Sequence, residues 1–364
     1  MTWAELNYSK KAVRRAGDYF IEKEKVFDAD EFLASFEILS NWRASHAYPI
    51  HSMLGYFRKK AFEIDKNAVI AQRLKRTPSI ISKLRREGDM KLDRMEDIAG
   101  CRIVVENKND VYEVRSKIVG GRTRNTLRRE RDYIVNPKDS GYRGIHLIYQ
   151  YNGKKSAYTR HSVELQIRSK VQHSWATAVE VVGTFTGQAL KASMGREAWL
   201  NFFKLASIAF EDIENKRLTR NVATKDRLEL IKYIDRLGVL PRLRAFAVST
   251  KHLGSDKKNH GDYFLLTLEI EKSNIQIKRF SSDNFEKATQ QYADLEKEFK
   301  ENSNRDVVLV SAESVHGLKK AYPNYFADTT DFSKNLERIL TVNKKMQNTR
   351  QRESLKQQKL DLNE

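Results

Sequence analysis

Apolar residues recur at helix-like intervals through the first seventy positions. Val13, Phe20, Phe27, Phe32, Phe36 and Leu39 follow this spacing, with few glycines or prolines between them. Pro49 punctuates this region, and Met53-Leu54-Gly55-Tyr56-Phe57 starts a further helical stretch. Thr77-Pro78 predicts the next helix start, with Thr77 as N-cap and Pro78 at the first helical position. Ser79, Lys83 and Arg86 then share one side of that helix. After Gly100 the period changes. Cys101 to Val105 is a short β-branched run that reads as a strand, and Asp110 to Val119 reads as a helix. The stretch from Gly120 to Arg131 holds Arg122, Arg124, Arg128, Arg129 and Arg131 and reads as a loop. Asp132 to Val135, Ile145 to Tyr151 and Ser162 to Arg168 are predicted strands, with Asn152-Gly153 as a hairpin turn after the second. In Val163 to Arg168 the apolar residues face one way, while Glu164, Gln166 and Arg168 share the opposite face.

Ser169 leads a long helical stretch toward Arg227. Beyond it, Phe264 to Ile270 and Ile275 to Phe280 read as strands and Phe285 to Phe299 as an amphipathic helix. Val307 to Val310 is a further strand and Phe332 to Leu340 a further helix. This β-β-α-β-α order predicts a small α+β domain. The expected organisation is a first domain over 1–225, a second over 226–345, and a polar, frayed tail over 346–364.

Composition narrows the function classes. The 364 residues suit two domains. With 67 Lys and Arg against 48 Asp and Glu, the formal charge is +19. Residues 71–170 hold 24 basic against 12 acidic residues, so +12 of the total sits in about a quarter of the chain. Such a density attracts polyanions, although a generally basic solvated surface would show it too. No apolar run approaches the roughly 18 residues of a membrane span. The first residues show no basic start followed by an apolar stretch, so no secretory signal is expected. Cys101 is the lone cysteine, which excludes an internal disulfide and a multi-cysteine zinc site. A cytoplasmic location is the expectation.

Two carboxylates stand beside basic or polar residues at strand edges. Asp97 precedes the strand that carries Arg102, and Glu164 lies on the polar face of another. Together they would suit Mg²⁺ with phosphate oxygens completing its shell. Each alone also reads as a surface acid paired with an arginine, and spacing does not bring residues 97 and 164 together. The stretch from Asn136 to His146 places Tyr142 and Arg143 between Gly141 and Gly144. It offers a stacking ring and a charge beside a backbone that a ligand can approach, or simply a turn with a core tyrosine.

In order, five blocks resemble the synthetase domain of the RelA/SpoT family. They are Arg73-Leu74-Lys75 with Ser79 to Leu84, Asp97 to Arg102, Arg131 to Ile134, Lys138 to His146, and Val163 to Arg168. The resemblance covers roughly 45–215. It implies a nucleotidyltransferase-like domain, a mixed β-sheet flanked by helices, that moves pyrophosphate from ATP to a ribose 3′-hydroxyl with Mg²⁺. By the same resemblance Asp97 and Glu164 are the catalytic and metal-binding acids. Arg73 would stack on adenine, and Lys83, Arg102, Arg131 and Lys138 would contact phosphates. Tyr142, Arg143, His146 and Gln166 would bind the acceptor. A hydrolase partner of this family needs a His-Asp pair; the chain has no such dipeptide, so synthesis alone is expected. Gly144 stands where alarmone synthetases more often carry serine, and Arg131 where lysine is frequent, which leaves the acceptor open.

Residues 225–345 resemble the antitoxin-like domain of CapRel proteins, fused toxin–antitoxins directed against phage. Tyr322-Pro323-Asn324-Tyr325 is similar to their Tyr-x-x-Tyr motif, which implies a regulatory role for Tyr322 and Tyr325 at the ATP site. This resemblance implies activation by a phage structural (capsid) protein and an acceptor at the tRNA CCA end, the transfer stopping translation. The arginine-rich stretch also favours a large polyanionic acceptor. The alternative acceptor is GDP or GTP, giving a (p)ppGpp synthetase. A reading of another class is a catalytically inactive RNA-binding or phage-sensing module. Neither membrane nor DNA is an expected partner.

Overall fold

A computed structural model of the chain describes residues 3–21, 28–186, 197–218, 225–248, 262–269, 274–281, 284–298, 305–312 and 328–361. It opens with α1 (Lys10–Tyr19), α2 (Ala29–Ser45) and α3 (Ala47–Phe62), then β1 (Val69–Leu74), α4 (Thr77–Arg86), β2 (Ala99–Val105) and α5 (Lys108–Val119). Three strands follow, β3 (Thr126–Asp132), β4 (Ile145–Gln150) and β5 (Ser162–Ser169). Next come α6 (Lys170–Thr186), α7 (Glu197–Glu214), α8 (Lys225–Arg236) and α9 (Val239–Val248). The chain closes with β6 (Asp262–Glu269), β7 (Asn274–Phe280), α10 (Phe285–Glu298), β8 (Arg305–Ala312) and α11 (Thr330–Asp361).

Local chemistry sets several of these boundaries. Ser9, Asp28 and Asn107 cap α1, α2 and α5 by accepting from backbone N–H groups of the first turn. Pro49 sits inside the first turn of α3, where its missing N–H is harmless. The start of α4 lies one residue earlier than the sequence predicts: Thr77 is the first helical residue and Arg76 precedes it as N-cap.

The sheet order is β3-β4-β5-β2-β1-β8-β6-β7. The ladders within β3-β4-β5 and within β2-β1-β8-β6-β7 are antiparallel. Central β2 is buried along nearly its whole length, whereas β5 alternates, sending Val163, Leu165 and Ile167 into the core. Each such fully buried aliphatic side chain stabilises the fold by roughly 1.5–3 kcal/mol.

Three sequence expectations change here. The arginine-rich stretch expected as a loop is in large part edge strand β3, mostly exposed and bulged between Leu127 and Arg129. Residues 133–135, expected as strand, form a turn instead. Asn152-Gly153 does not close a two-residue hairpin. The connection runs from 151 to 161, held by Tyr151 N–H to His161 O and Arg160 N–H to Tyr151 O, both 2.9 Å. Tyr151 and Tyr158 are buried, so this longer loop packs as part of the core.

The chain divides into two compact units that do not follow chain order. One comprises 1–132, 144–168 and 252–322; the other comprises 133–143, 169–251 and 323–364. The expected boundary at 225/226 therefore falls within the second unit. In the first unit, β8 joins β1 through Gln72↔Ser311 and Arg73↔Val310. Tyr263, Leu265, Phe280, Ala288, Tyr292 and Val307 bury against Ala47, with Trp3 and Leu74 alongside. The strands β6, β7 and β8 thus extend the sheet of the N-terminal half. The order β6-β7-α10-β8-α11 follows the expected β-β-α-β-α order, but α11 belongs to the second unit. There Phe332, Leu336 and Ile339 join the core of α6 to α9. The polar tail expected to fray continues α11 as helix through Asp361. Among the described residues, no helix is long and apolar enough to cross a membrane.

Candidate functional site

The first unit brings Asp97 and Glu164 into one electrostatic environment. Asp97 lies in the turn just before β2. Its Oδ2 accepts from Lys75 Nζ at 2.9 Å and its Oδ1 from Lys83 Nζ at 3.0 Å. Burial pushes the Asp97 carboxyl up and Glu164 adds to that, but the two ammonium groups outweigh both and hold it below its usual range. Lys75 follows β1 and is fixed by its backbone: its N–H donates to Ile98 O at 2.7 Å, and Arg43 Nε donates to its carbonyl at 2.6 Å.

Glu164 projects from the polar face of β5, the face its alternation assigns. Its Oε1 lies 2.8 Å from His146 Nδ1, and its Oε2 accepts from Gln166 Nε2 at 2.7 Å. Arg168 Nη2 in turn donates to Gln166 Oε1 at 2.7 Å. Burial pushes the Glu164 carboxyl up, but the charge and hydrogen bond of His146, the Gln166 amide and the Lys75 charge carry it well below the carboxylate range. Both acids are therefore ionised at neutral pH, and Lys75 acts on both.

The registers add three arginines to this unit. Arg131 of β3 stands opposite His146, which stands opposite Gln166, so the three share one face of the sheet. Arg131 is exposed. Arg73 stands opposite Gly100, and the buried Arg102 opposite Ala71. Of the expected residues, Arg73, Lys83, Asp97, Arg102, Arg131, His146, Glu164 and Gln166 thus lie in the first unit. Sequence reasoning does not single out Lys75, although it ends a block that carries the resemblance.

Lys138, Tyr142 and Arg143 lie in the second unit. Lys138 Nζ sits 4.7 Å from the Tyr133 ring centre and 5.3 Å from that of Tyr142. The Tyr142 ring meets Tyr133 edge-on at 5.8 Å and is tilted against Trp175 at 6.4 Å. The Arg143 guanidinium is engaged by protein groups: Ile134 O, Ser207 Oγ and the Glu211 carboxylate. Tyr322 and Tyr325 lie outside the described residues. Cys101 is buried in β2, and burial pushes its thiol up to about 12, so it stays a neutral thiol.

Two ionised carboxylates suit a hard divalent cation. Among the described residues no group of three or more His, Cys, Asp or Glu is placed to hold a metal ion by itself. The remaining ligands would have to be phosphate oxygens and water. Lys75 and Lys83 place two positive charges against Asp97.

A family profile described as "Region found in RelA / SpoT proteins" matches residues 72–182, a shorter stretch than the 45–215 read from the sequence. GTP pyrophosphokinase YjbM of Bacillus subtilis is 35% identical over 111 residues, covering 30% of this chain and 52% of that protein. GTP pyrophosphokinase of Escherichia coli K12 is 28% identical over 176 residues, covering 47% of this chain and 23% of that protein. The chain thus spans about half the length, or less, of these relatives. Among solved structures, small alarmone synthetase 1 of Bacillus subtilis bound to its product pppGpp aligns at 25% identity with a TM-score of 0.40. The alignment covers 48% of this chain and 93% of that one. The stretch from 72 to 182 is therefore similar to a region found in RelA/SpoT proteins, and every candidate residue from Arg73 to Gln166 lies within it.

Proposed function

We propose that the chain is an ATP-dependent pyrophosphokinase of RelA/SpoT type, acting in the direction of synthesis with a guanine nucleotide, GDP or GTP, as acceptor. The observation that carries this reading is the pair Asp97 and Glu164, both ionised and both within reach of the Lys75 charge. The names of the relatives support the guanine acceptor over the tRNA end expected from the sequence. In the reaction, the acceptor's 3′-oxygen bonds to the β-phosphorus of ATP as the bond from that phosphorus to the AMP oxygen breaks. AMP leaves, and the hydroxyl proton passes to a carboxylate oxygen or to water. Such transfers are accelerated chiefly by positioning and by neutralising charge.

Asp97 and Glu164 would hold Mg²⁺, which when bound neutralises charge on the phosphates. Lys75, Lys83, Arg102 and Arg131 supply fixed positive charge for the same phosphates, and Arg73 offers a planar cation to adenine. A carboxylate held as low as Glu164 is a weak base. It suits binding a cation or orienting the hydroxyl better than removing a proton outright.

ATP labelled in its terminal phosphates, incubated with the protein and GDP, GTP or bulk tRNA, tests the reading directly. Label is expected on the guanine nucleotide. Label on tRNA alone would overturn that acceptor and favour the second reading, transfer to the CCA end, which the exposed Arg128, Arg129 and Arg131 on β3 support. That reading brings with it the CapRel-like restraint by Tyr322 and Tyr325 and activation by a phage capsid protein, so each arm is run with and without one. No label on any acceptor would sink both.

Replacing Lys75 by Met removes the charge that lowers both acids, so their pKa values rise. The acid limb of the pH–rate profile is expected to move to higher pH. Initial rates measured from about pH 3 to 8, with folding checked at each pH, test this, and an unmoved limb would leave control to Lys83 and His146.

A further inference from the structure

The segment from Tyr133 to Arg143 is held by α7 through contacts the acceptor reading does not use. Gly141 has φ +92°, in the left-handed region that favours glycine, and its backbone lies directly on α7. A Cβ there would stand 2.9 Å from Ser207 Cβ, 3.2 Å from Lys204 Cα and 3.3 Å from Phe203 O. Ser207 Oγ donates to Gly141 O at 2.5 Å, and Arg143 Nε donates to Ser207 Oγ at 3.2 Å. Arg143 Nη1 donates to Ile134 O at 2.9 Å, and Nη2 pairs with Glu211 Oε2 at 2.6 Å. The Arg143 side chain is 12% exposed. Ser207 and Glu211 are four residues apart, so they face the loop from the same side of α7.

Tyr142 stands between the two residues so anchored. Its carbonyl accepts from Lys138 N–H at 3.2 Å, and Gly141 N–H donates to Lys138 O at 2.7 Å, which closes the loop. A guanidinium that satisfies a backbone carbonyl, a hydroxyl and a carboxylate at once is built as a fixed strut.

We propose that Arg143, Ser207 and Glu211 form a clamp that sets the position of the Tyr142 ring as a stacking surface, and that Arg143 is a positioning residue rather than an acceptor contact. The proposal rests on the reading that the chain takes a nucleoside-bearing acceptor. Breaking the ion pair leaves Tyr142 present but less well placed. The acceptor KM then rises while the ATP KM stays.

The test uses the full chain with Glu211→Gln, Arg143→Ala, Arg143→Lys and the double variant Glu211→Gln/Arg143→Ala. Glu211→Gln is expected to raise the acceptor KM roughly tenfold, the cost of one charge-assisted hydrogen bond. The ATP KM should stay within about twofold. The double variant should be no worse than Arg143→Ala, and Arg143→Lys should fall between it and the unaltered chain. Hydrogen exchange of amides 136–144 should quicken in Glu211→Gln. An acceptor KM raised by Arg143→Ala but untouched by Glu211→Gln would make Arg143 a direct contact and overturn the clamp. If the unaltered chain transfers to no acceptor, the proposed function fails, and the exchange measurement alone decides the clamp: faster exchange supports it, unchanged exchange overturns it.

Discussion

Replacing Glu164 by Gln is expected to abolish pyrophosphoryl transfer while leaving the chain folded. The substitution keeps the shape of the side chain and removes its charge. The amide oxygen of the new side chain can still accept one hydrogen bond, so the network through Gln166 and Arg168 is perturbed rather than emptied. What is lost is the second anionic ligand beside Asp97, and with it the field that draws a cation–phosphate complex into place. A loss on the order of 10³-fold in rate is the scale for removing such a group. Asp97→Asn should act as severely and should also lower stability, because Lys75 and Lys83 then face one another without their counter-charge. Single-turnover transfer of labelled phosphate, with circular dichroism as the check on folding, measures both effects. A variant retaining more than about a tenth of the rate would remove Glu164 from the chemistry. If the chain is instead a binding or sensing module, its effect on cells should survive Glu164→Gln.

Acidification is the second large effect. His46 and His161 are buried beside Trp42, their ring centres 4.4 Å apart. Ser45 Oγ donates to Trp42 O at 2.7 Å, so it can only accept from His161 Nε2, which lies 2.8 Å away. His161 Nδ1 is then left as a bare lone pair, with no hydrogen-bond partner among the described residues. Burial pushes His161 down to about 4, with the Lys10 charge adding to it and the nearby backbone carbonyls of Tyr158 and Thr159, which favour the protonated ring, opposing. His46 is driven well below its usual value by burial, by His161 and by the Arg43 and Lys10 charges.

A histidine whose folded pKa is depressed takes its proton more readily in the unfolded chain. Stability is therefore lost as pH falls from 6.5 toward 4. From His161 alone, about 2 kcal/mol is gone by pH 5. For a unit of this size the melting temperature should fall by roughly 4–8 °C. The carboxylates Asp97 and Glu164 also destabilise the fold in acid, but their folded pKa values lie below the ordinary carboxylate range. Their contribution is lost at lower pH, and the window from about 6.5 to about 4.5 belongs to the histidines. His161→Gln should shrink the difference between melts at pH 7 and pH 5. An unchanged difference would assign the acid sensitivity elsewhere.

The polar face of β5 is legible from its alternation, and the order of the five blocks identifies the residues around it. Other elements escape for specific reasons. Strand β3 carries almost no apolar residues because it lies at the sheet edge, where both faces meet solvent, so it lacks the period that marks a half-buried strand. The continuation of α11 past Asn343 carries few apolar residues in its sequence to announce it, although its Lys, Gln, Arg and Glu are good helix formers. Lys75 draws no notice because a lysine at the end of a strand is ordinary. Its role depends on the turn before β2 folding back beside it. Arg143 reads as an available cation in sequence, and only packing against α7 engages its guanidinium.

Local features follow from the order of residues alone: most helix and strand periods, the basic density between 71 and 170, and the block order that resembles RelA/SpoT synthetases. They arise from side-chain spacing along a backbone of known geometry. Which distant segments meet is a matter of tertiary folding. Folding sets β2 beside β5, so that Asp97 and Glu164, far apart in the chain, share one field, and it joins β8 to β1, so that a late segment extends the early sheet. Such pairings are chosen by the burial of whole faces and the satisfaction of whole edges, and no short stretch of sequence contains that information.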